Sequence, residues 1–387
     1  MELNEILAEA IRNEASDVLL KAGVPPAFRV RADFLPLEGA APLTGPDLER
    51  IVNGVLDDNR RRKLEQDLQV DLAYSHPDLG RFRVNIFRQR GFMSLVIRVV
   101  PTKIRNVAEL NLPQSVERLA TERRGLILVT GTTGSGKSTT LAALIDYINR
   151  ARQSHIITIE DPIEYEHGDR MSFVNQREVG YDAVDFPSAL KSALRQNPDV
   201  ILVGEMRDLE TIETAILAAE TGHLVMSTLH TLDAQETMTR IISVFPEHQR
   251  DQARLILASV IRGIVSQRLI PRADGLGMVP AVEVLIASAR VKEYIADKTK
   301  TRDLHDVIAQ GHTSYGMQTF DQSLMSLFRT GLISYNEALM HCSNPSDFEL
   351  KVRGIASTSD SRWDNFEKSE GTDGGEDRGA SLDIERF

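Results

Sequence analysis

One cysteine in 387 residues, Cys342, excludes a disulfide framework and leaves a cysteine-rich zinc site without ligands, which fits a reducing cytosol. No apolar run reaches the roughly 18 to 20 residues that a spanning helix needs. The stretch around Leu255–Ile270 comes nearest, and Arg262 and Arg268 interrupt it. The opening MELNEILAEAIRNEASD is charged throughout and lacks the apolar centre of a secretory signal. A basic excess is missing as well. The net charge of −11 and a pI near 5.4 argue against a broad phosphate-backbone footprint, and 5% aromatics supply no stacking stripe. No internal repeat is visible.

What is present is an ordinary globular composition, 42% hydrophobic and 26% charged, on a chain long enough for two or three domains. Leu3, Ile6, Leu7, Ala10 and Ile11 have the spacing of an amphipathic helix. A turn at Gly23-Val24-Pro25-Pro26 leads into Phe28–Arg31, whose alternation reads as a strand, as do Phe82–Phe87 and Ser94–Val99. Residues 1–100 therefore read as a small mixed α/β domain, and 101–112 as a linker. From 113 to 284 short apolar runs (Gly125–Thr130, His155–Ile159, Val200–Val203, Leu224–Ser227) alternate with helix-like segments, the texture of buried parallel strands with crossover helices. Residues 285–355 read as helical. The tail, 356–387, carries nine acidic against four basic side chains and few apolar ones, the composition of a disordered segment.

Four segments carry chemistry. Gly131-Thr132-Thr133-Gly134-Ser135-Gly136-Lys137-Ser138-Thr139 satisfies the full phosphate-loop pattern, after an apolar strand and before a helix. Its glycines let backbone N–H groups turn towards an anion, Lys137 is placed for β- and γ-phosphates, and the Ser138 hydroxyl for magnesium. Val200–Val203 delivers Glu205 to a strand's C-terminal edge, where a carboxylate can support magnesium or polarise water. Thr158–Tyr165 sets Glu160, Asp161 and Glu164 at the end of another apolar run; alone it fits an acidic loop equally well. In Thr221–His230, His223 and His230 are an odd number of residues apart, so on a regular strand they face opposite sides, against a shared metal.

In this order the four segments resemble the signatures of secretion and pilus motor ATPases: phosphate loop 131–139, Asp box 158–165, variant Walker B 200–208 and His box 221–231. The resemblance runs through Asn175–Gly180, Leu194–Asp199, Ser266–Leu269 and Gly316–Gln322, covering about residues 1–345. Within that superfamily the chain is similar to the type IV pilus retraction ATPases (PilT-like), since it lacks the tetracysteine element of assembly motors. The resemblance implies an α/β fold: a PAS-like N-terminal domain, a RecA-like core and C-terminal helices, assembled as a homohexamer. It implies ATP and Mg2+ as cofactors, Glu164 as activator of water, Glu205 as the Walker B glutamate and metal ligand, and His230 as γ-phosphate sensor. Arg83, Arg98 and Arg105 match arginines offered to the nucleotide. Implied partners are an inner-membrane pilus platform protein and a paralogous motor ATPase, with no nucleic acid, at the cytoplasmic face of the inner membrane. One departure stands out. Ala289–Asp297 replaces the Ala-Ile-Arg-Asn-Leu-Ile-Arg-Glu motif of retraction ATPases, leaving a main motor and an accessory PilU-like paralogue both open.

Rival readings are a pilus or type II secretion assembly ATPase, a nucleic-acid translocase on a RecA-like core, a GTPase switch and a nucleotide-sensing scaffold. The acidic charge weighs against the translocase, a missing Asn-Lys-x-Asp motif against the GTPase, and two intact carboxylate candidates against the scaffold.

Overall fold

The computed structural model describes residues 1–30, 33–100, 103–355 and 363. The tail expected over 356–387, Trp363 apart, lies outside the described residues, as do Arg31 and Pro101. The chain forms two compact units. One comprises 1–104 with the segments 160–168 and 176–184; the other comprises 105–159, 169–175 and the chain from 185 onward.

The first unit is built on six antiparallel strands: β1 (Asp17–Lys21), β2 (Ala27–Val30), β3 (Asp33–Pro36), β4 (Gln69–His76), β5 (Gly80–Gln89) and β6 (Phe92–Val99). Their order is β3-β2-β1-β6-β5-β4. Strict alternation turns Phe82, Val84 and Ile86 of β5 and Leu95 and Ile97 of β6 into the core. Each such side chain contributes about 1.5–3 kcal/mol on burial. Helix α1 (Leu3–Arg12) lays the stripe Leu3, Ile6, Leu7 and Ala10 into the same core. Helix α2 (Gly45–Val55) adds Leu48, Ile51 and Val52, its start fixed by a Thr44/Asp47 capping box. On the opposite face, Asp17, Arg98 and Arg83 stand in one row across β1, β6 and β5.

The second unit carries a seven-stranded sheet, apart from Glu160 and residues 176–178, which count with the first: β7 (Gly125–Thr130), β8 (His155–Glu160), β9 (Phe173–Glu178), β10 (Val200–Val203), β11 (Leu224–Leu229), β12 (Ile261–Pro271) and β13 (Met278–Ile286). The order is β13-β12-β7-β11-β10-β8-β9, with β12, β7, β11, β10 and β8 parallel and β13 antiparallel on β12. Every residue of β7, β10 and β11 is buried, as strands covered on both faces require. The chain after Ala289 is mostly helical to Val352. Those helices pack Phe320, Leu324, Met325, Phe348 and Trp363 around Ile270 and Val279 of the β12–β13 hairpin.

Candidate active site

β7 runs into Gly131–Gly136, and the next helix starts at Lys137. At Gly131 (φ +141°) a Cβ would meet Gln267 O at 2.4 Å and Ser135 Oγ at 2.5 Å. Gly134 and Gly136 also hold positive φ, so the loop follows a path only glycine takes at low cost. That path leaves the first amides of the 137–151 helix without intrahelical partners and ready for an anion. Lys137 is buried, and its Nζ donates to the Gly131 and Thr132 carbonyls, both at 2.9 Å. The loop is held from behind by β12. Thr130 Oγ1 donates to Ser266 Oγ, and Gln267 Nε2 donates to Thr140 Oγ1, each at 2.9 Å. Ser135 Oγ and Gln267 Oε1 are buried with no hydrogen-bond partner. A cavity of about 320 Å³ adjoins them, lined by Gly136, Thr139, Thr140, Gln267, Leu269 and Arg105 among others.

Two strands over, β10 leads into Gly204-Glu205. The Glu205 carboxylate meets Arg207 Nη2 at 2.7 Å through Oε2 and His230 Nε2 at 3.4 Å through Oε1. Burial pushes this carboxyl up, but the Arg207 hydrogen bond and charge, with His230 and Lys137, outweigh it and hold it below the usual carboxylate range. His223, at the other end of β11, sits 2.9 Å from Ala218 O through Nδ1 and closes the preceding helix instead. Lys137, Glu205, His230 and Arg105 thus share the second unit. Oxygen donors of the Ser138 and Glu205 kinds suit a hard divalent cation, and no three His, Cys, Asp or Glu side chains cluster among the described residues. A cation here would take the rest of its shell from phosphate and water.

Glu164, Arg83 and Arg98 belong to the first unit. Glu164 is exposed, next to the buried Ile163. The segment carrying it is clamped by Gln176, whose Nε2 donates to Glu160 Oε1 (3.2 Å) and Tyr165 O (2.8 Å) while its Oε1 accepts from His167 N (2.8 Å). Arg98 Nε lies 3.0 Å from Asp17 Oδ1, and Arg83 is exposed on the neighbouring strand. Three contributors escape sequence reasoning: Arg207, Gln267 and Arg81, the last paired with Glu178 and Glu166. Arg207 and Gln267 lie inside quoted motifs, yet only the fold shows what they touch.

The family model described as type II/IV secretion system protein matches residues 1–307. The chain belongs to that family. It is an ATPase of this family with a RecA-like core. The type IV pilus retraction ATPase PilT of Pseudomonas aeruginosa is 42% identical over 90% of this chain and all of its own length. The type IV pilus ATPase PilU of the same organism is 39% identical, over 93% of each. A crystal structure of the pilus retraction motor PilT with bound ADP superposes with a TM-score of 0.84 at 45% identity, covering 90% of this chain and 99% of that one. The ATPase DotB of Legionella pneumophila follows at 0.76 and 27% identity, covering 92% and 96%.

Proposed function

We propose that this chain is the ATPase motor of type IV pilus retraction, the activity that underlies twitching motility. One observation carries the reading: a glycine-built phosphate loop and the Glu205–His230 pair occur in one unit, in a chain similar to retraction motors over nine-tenths of its length. Backbone amides and Lys137 bind and orient the phosphates, and the 137–151 helix adds its positive end. When bound, Mg2+ would be held by Ser138 and Glu205 and would supply charge neutralisation to the phosphates. Glu164 takes the proton of the attacking water, and His230 reports the γ-phosphate to Glu205. Arg83, Arg98 and Arg105 offset charge that develops on the leaving phosphates. The cavity beside Thr139 and Leu269 receives the nucleoside.

The working form is a homohexamer at the cytoplasmic face of the inner membrane, acting on a pilus platform protein. Deleting the gene should leave cells with excess, unretracted pili. Loss of pili on deletion would assign the chain to assembly instead. Unchanged retraction would favour the accessory, PilU-like reading, for which the divergent stretch Ala289–Asp297 speaks.

A further inference from the structure

Glu205 and Arg207 are two residues apart, and the chain between them is fixed. Met206 is 2% exposed and its N–H donates to Thr228 O on β11 at 3.3 Å. Asp208 caps the following helix, Leu209–Glu220, accepting from Thr211 N and Thr211 Oγ1, both at 2.8 Å. The Arg207 guanidinium therefore reaches Glu205 Oε2 from a backbone anchored at both ends.

The two side chains differ sharply in setting. The Arg207 side chain is 73% exposed, whereas that of Glu205 is 19% exposed. An exposed arginine moves at little cost. A half-buried carboxylate without a counter-charge does not stay so at little cost. His230 already faces the other oxygen, and Lys137 is engaged with its own loop's carbonyls. Arg207 is thus a strong cation in direct contact with Glu205, and the charge of Lys137 acts on the same carboxylate.

We propose that Arg207 is a gate on metal entry: its guanidinium sits on the Glu205 carboxylate and has to leave before that carboxylate can serve a magnesium–nucleotide. The two cations would compete for one carboxylate. Magnesium demands tight octahedral oxygen geometry, which a guanidinium within hydrogen-bond distance of the same carboxylate obstructs. Whatever stabilises the arginine-paired carboxylate lowers the apparent affinity of a ligand that needs it free by the same factor. Arg207 thereby sets how strongly nucleotide binding depends on magnesium. Metal-free nucleotide, held by the loop and Lys137, is indifferent to it. The proposal rests on the ATPase reading and on the assignment of Glu205 to the metal.

The test uses the full chain and a fluorescent ADP analogue, titrated with excess Mg2+ and again with EDTA. In Arg207→Gln the affinity with Mg2+ should rise about three- to fivefold, the upper range of an exposed ion pair, while the affinity in EDTA stays within about twofold. Arg207→Lys, which keeps a charge but loses the planar fork, should fall between that variant and wild type. In a Glu205→Gln background, Arg207→Gln should add nothing. An Arg207→Gln ratio of Mg2+ to EDTA affinity equal to or below that of wild type overturns the gate, and a loss in both conditions makes Arg207 a phosphate ligand instead. If Glu205→Gln alone leaves the magnesium dependence intact, the metal assignment fails and the gate with it. Wild-type protein that binds no nucleotide in either condition refutes the ATPase reading.

Discussion

The guanidinium of Arg81 closes on the carboxylate of Glu178 inside the first unit, with side chains only 14% and 8% exposed. Glu178 also accepts from Ile163 N (3.3 Å), the residue before Glu164. This pair ties β5 to the segment that carries the candidate water activator. Truncating one partner of a buried pair strands the other charge, at a cost of about 3–5 kcal/mol. Arg81→Ala should lose that much in urea unfolding. The double variant Arg81→Met/Glu178→Gln should recover a large part of it. Equal losses in both would show that packing, not charge, dominates there.

Lys137→Ala should abolish most nucleotide affinity, because the charged contact sits at the centre of the phosphate loop. Glu205→Gln and Glu164→Gln should instead keep nucleotide binding while turnover falls by roughly a hundredfold or more. Near-normal turnover in Glu164→Gln would reduce the acidic segment to a structural loop held by Gln176.

For the arginines, fold and chemistry make competing demands. Asp17 is nearly buried, and Arg98 is its ion-pair partner. Asp17→Asn removes that pair and spares the arginine, so it should cost stability alone. Arg98→Ala should cost stability and, if the side chain serves the phosphates, about 10³ to 10⁵ in turnover. A turnover within about threefold of wild type in folded Arg98→Ala would leave only the structural role. Arg105→Ala, at the wall of the cavity beside Thr139, should act on nucleotide binding as well as on turnover.

Glu283 on β13 is 2% exposed and accepts from Ala234 N, the first amide of the helix after His230, at 2.8 Å. Burial, with the negative charges of Asp233 and Asp321, pushes its carboxyl up to about 7 against the Ala234 N–H and Arg268. A folded-state value above the unfolded one means the protonated acid stabilises the fold. That contribution is complete below about pH 4.5 and is lost as pH rises to 7. A difference that large is worth on the order of 3 kcal/mol. Glu283→Gln keeps the acceptor without the charge, so its Tm should vary less between pH 5 and 8 and exceed wild type at pH 8. Parallel Tm curves for the two proteins would refute this.

Much of this architecture can be read from the chain, and the reasons are local. The runs Gly125–Thr130, Val200–Val203 and Leu224–Ser227 are uniformly apolar because both faces of those strands are covered, and they emerge as β7, β10 and β11. Alternation at Phe82–Phe87 survives as β5 because one face of that sheet is open. The phosphate loop is legible because its glycines are required by backbone geometry. What stays hidden is non-local. The helix Arg250–Val260 passes into β12 at Ile261 without glycine or proline to mark the change. Gln267 and Thr140 meet over 127 positions of sequence. Arg81 and Glu178 are 97 apart, and no periodicity links residues at such separations.

The first unit draws on three stretches of chain, 1–104, 160–168 and 176–184. A gene fragment starting at residue 105 would therefore carry Ile163, Glu164 and Glu178 away from the partners that order them, Arg81 among them. Dissection by truncation would destroy one part in the act of isolating the other. The smallest heritable piece of this motor that keeps Glu164 in its native surroundings begins before β5 and extends past Val184.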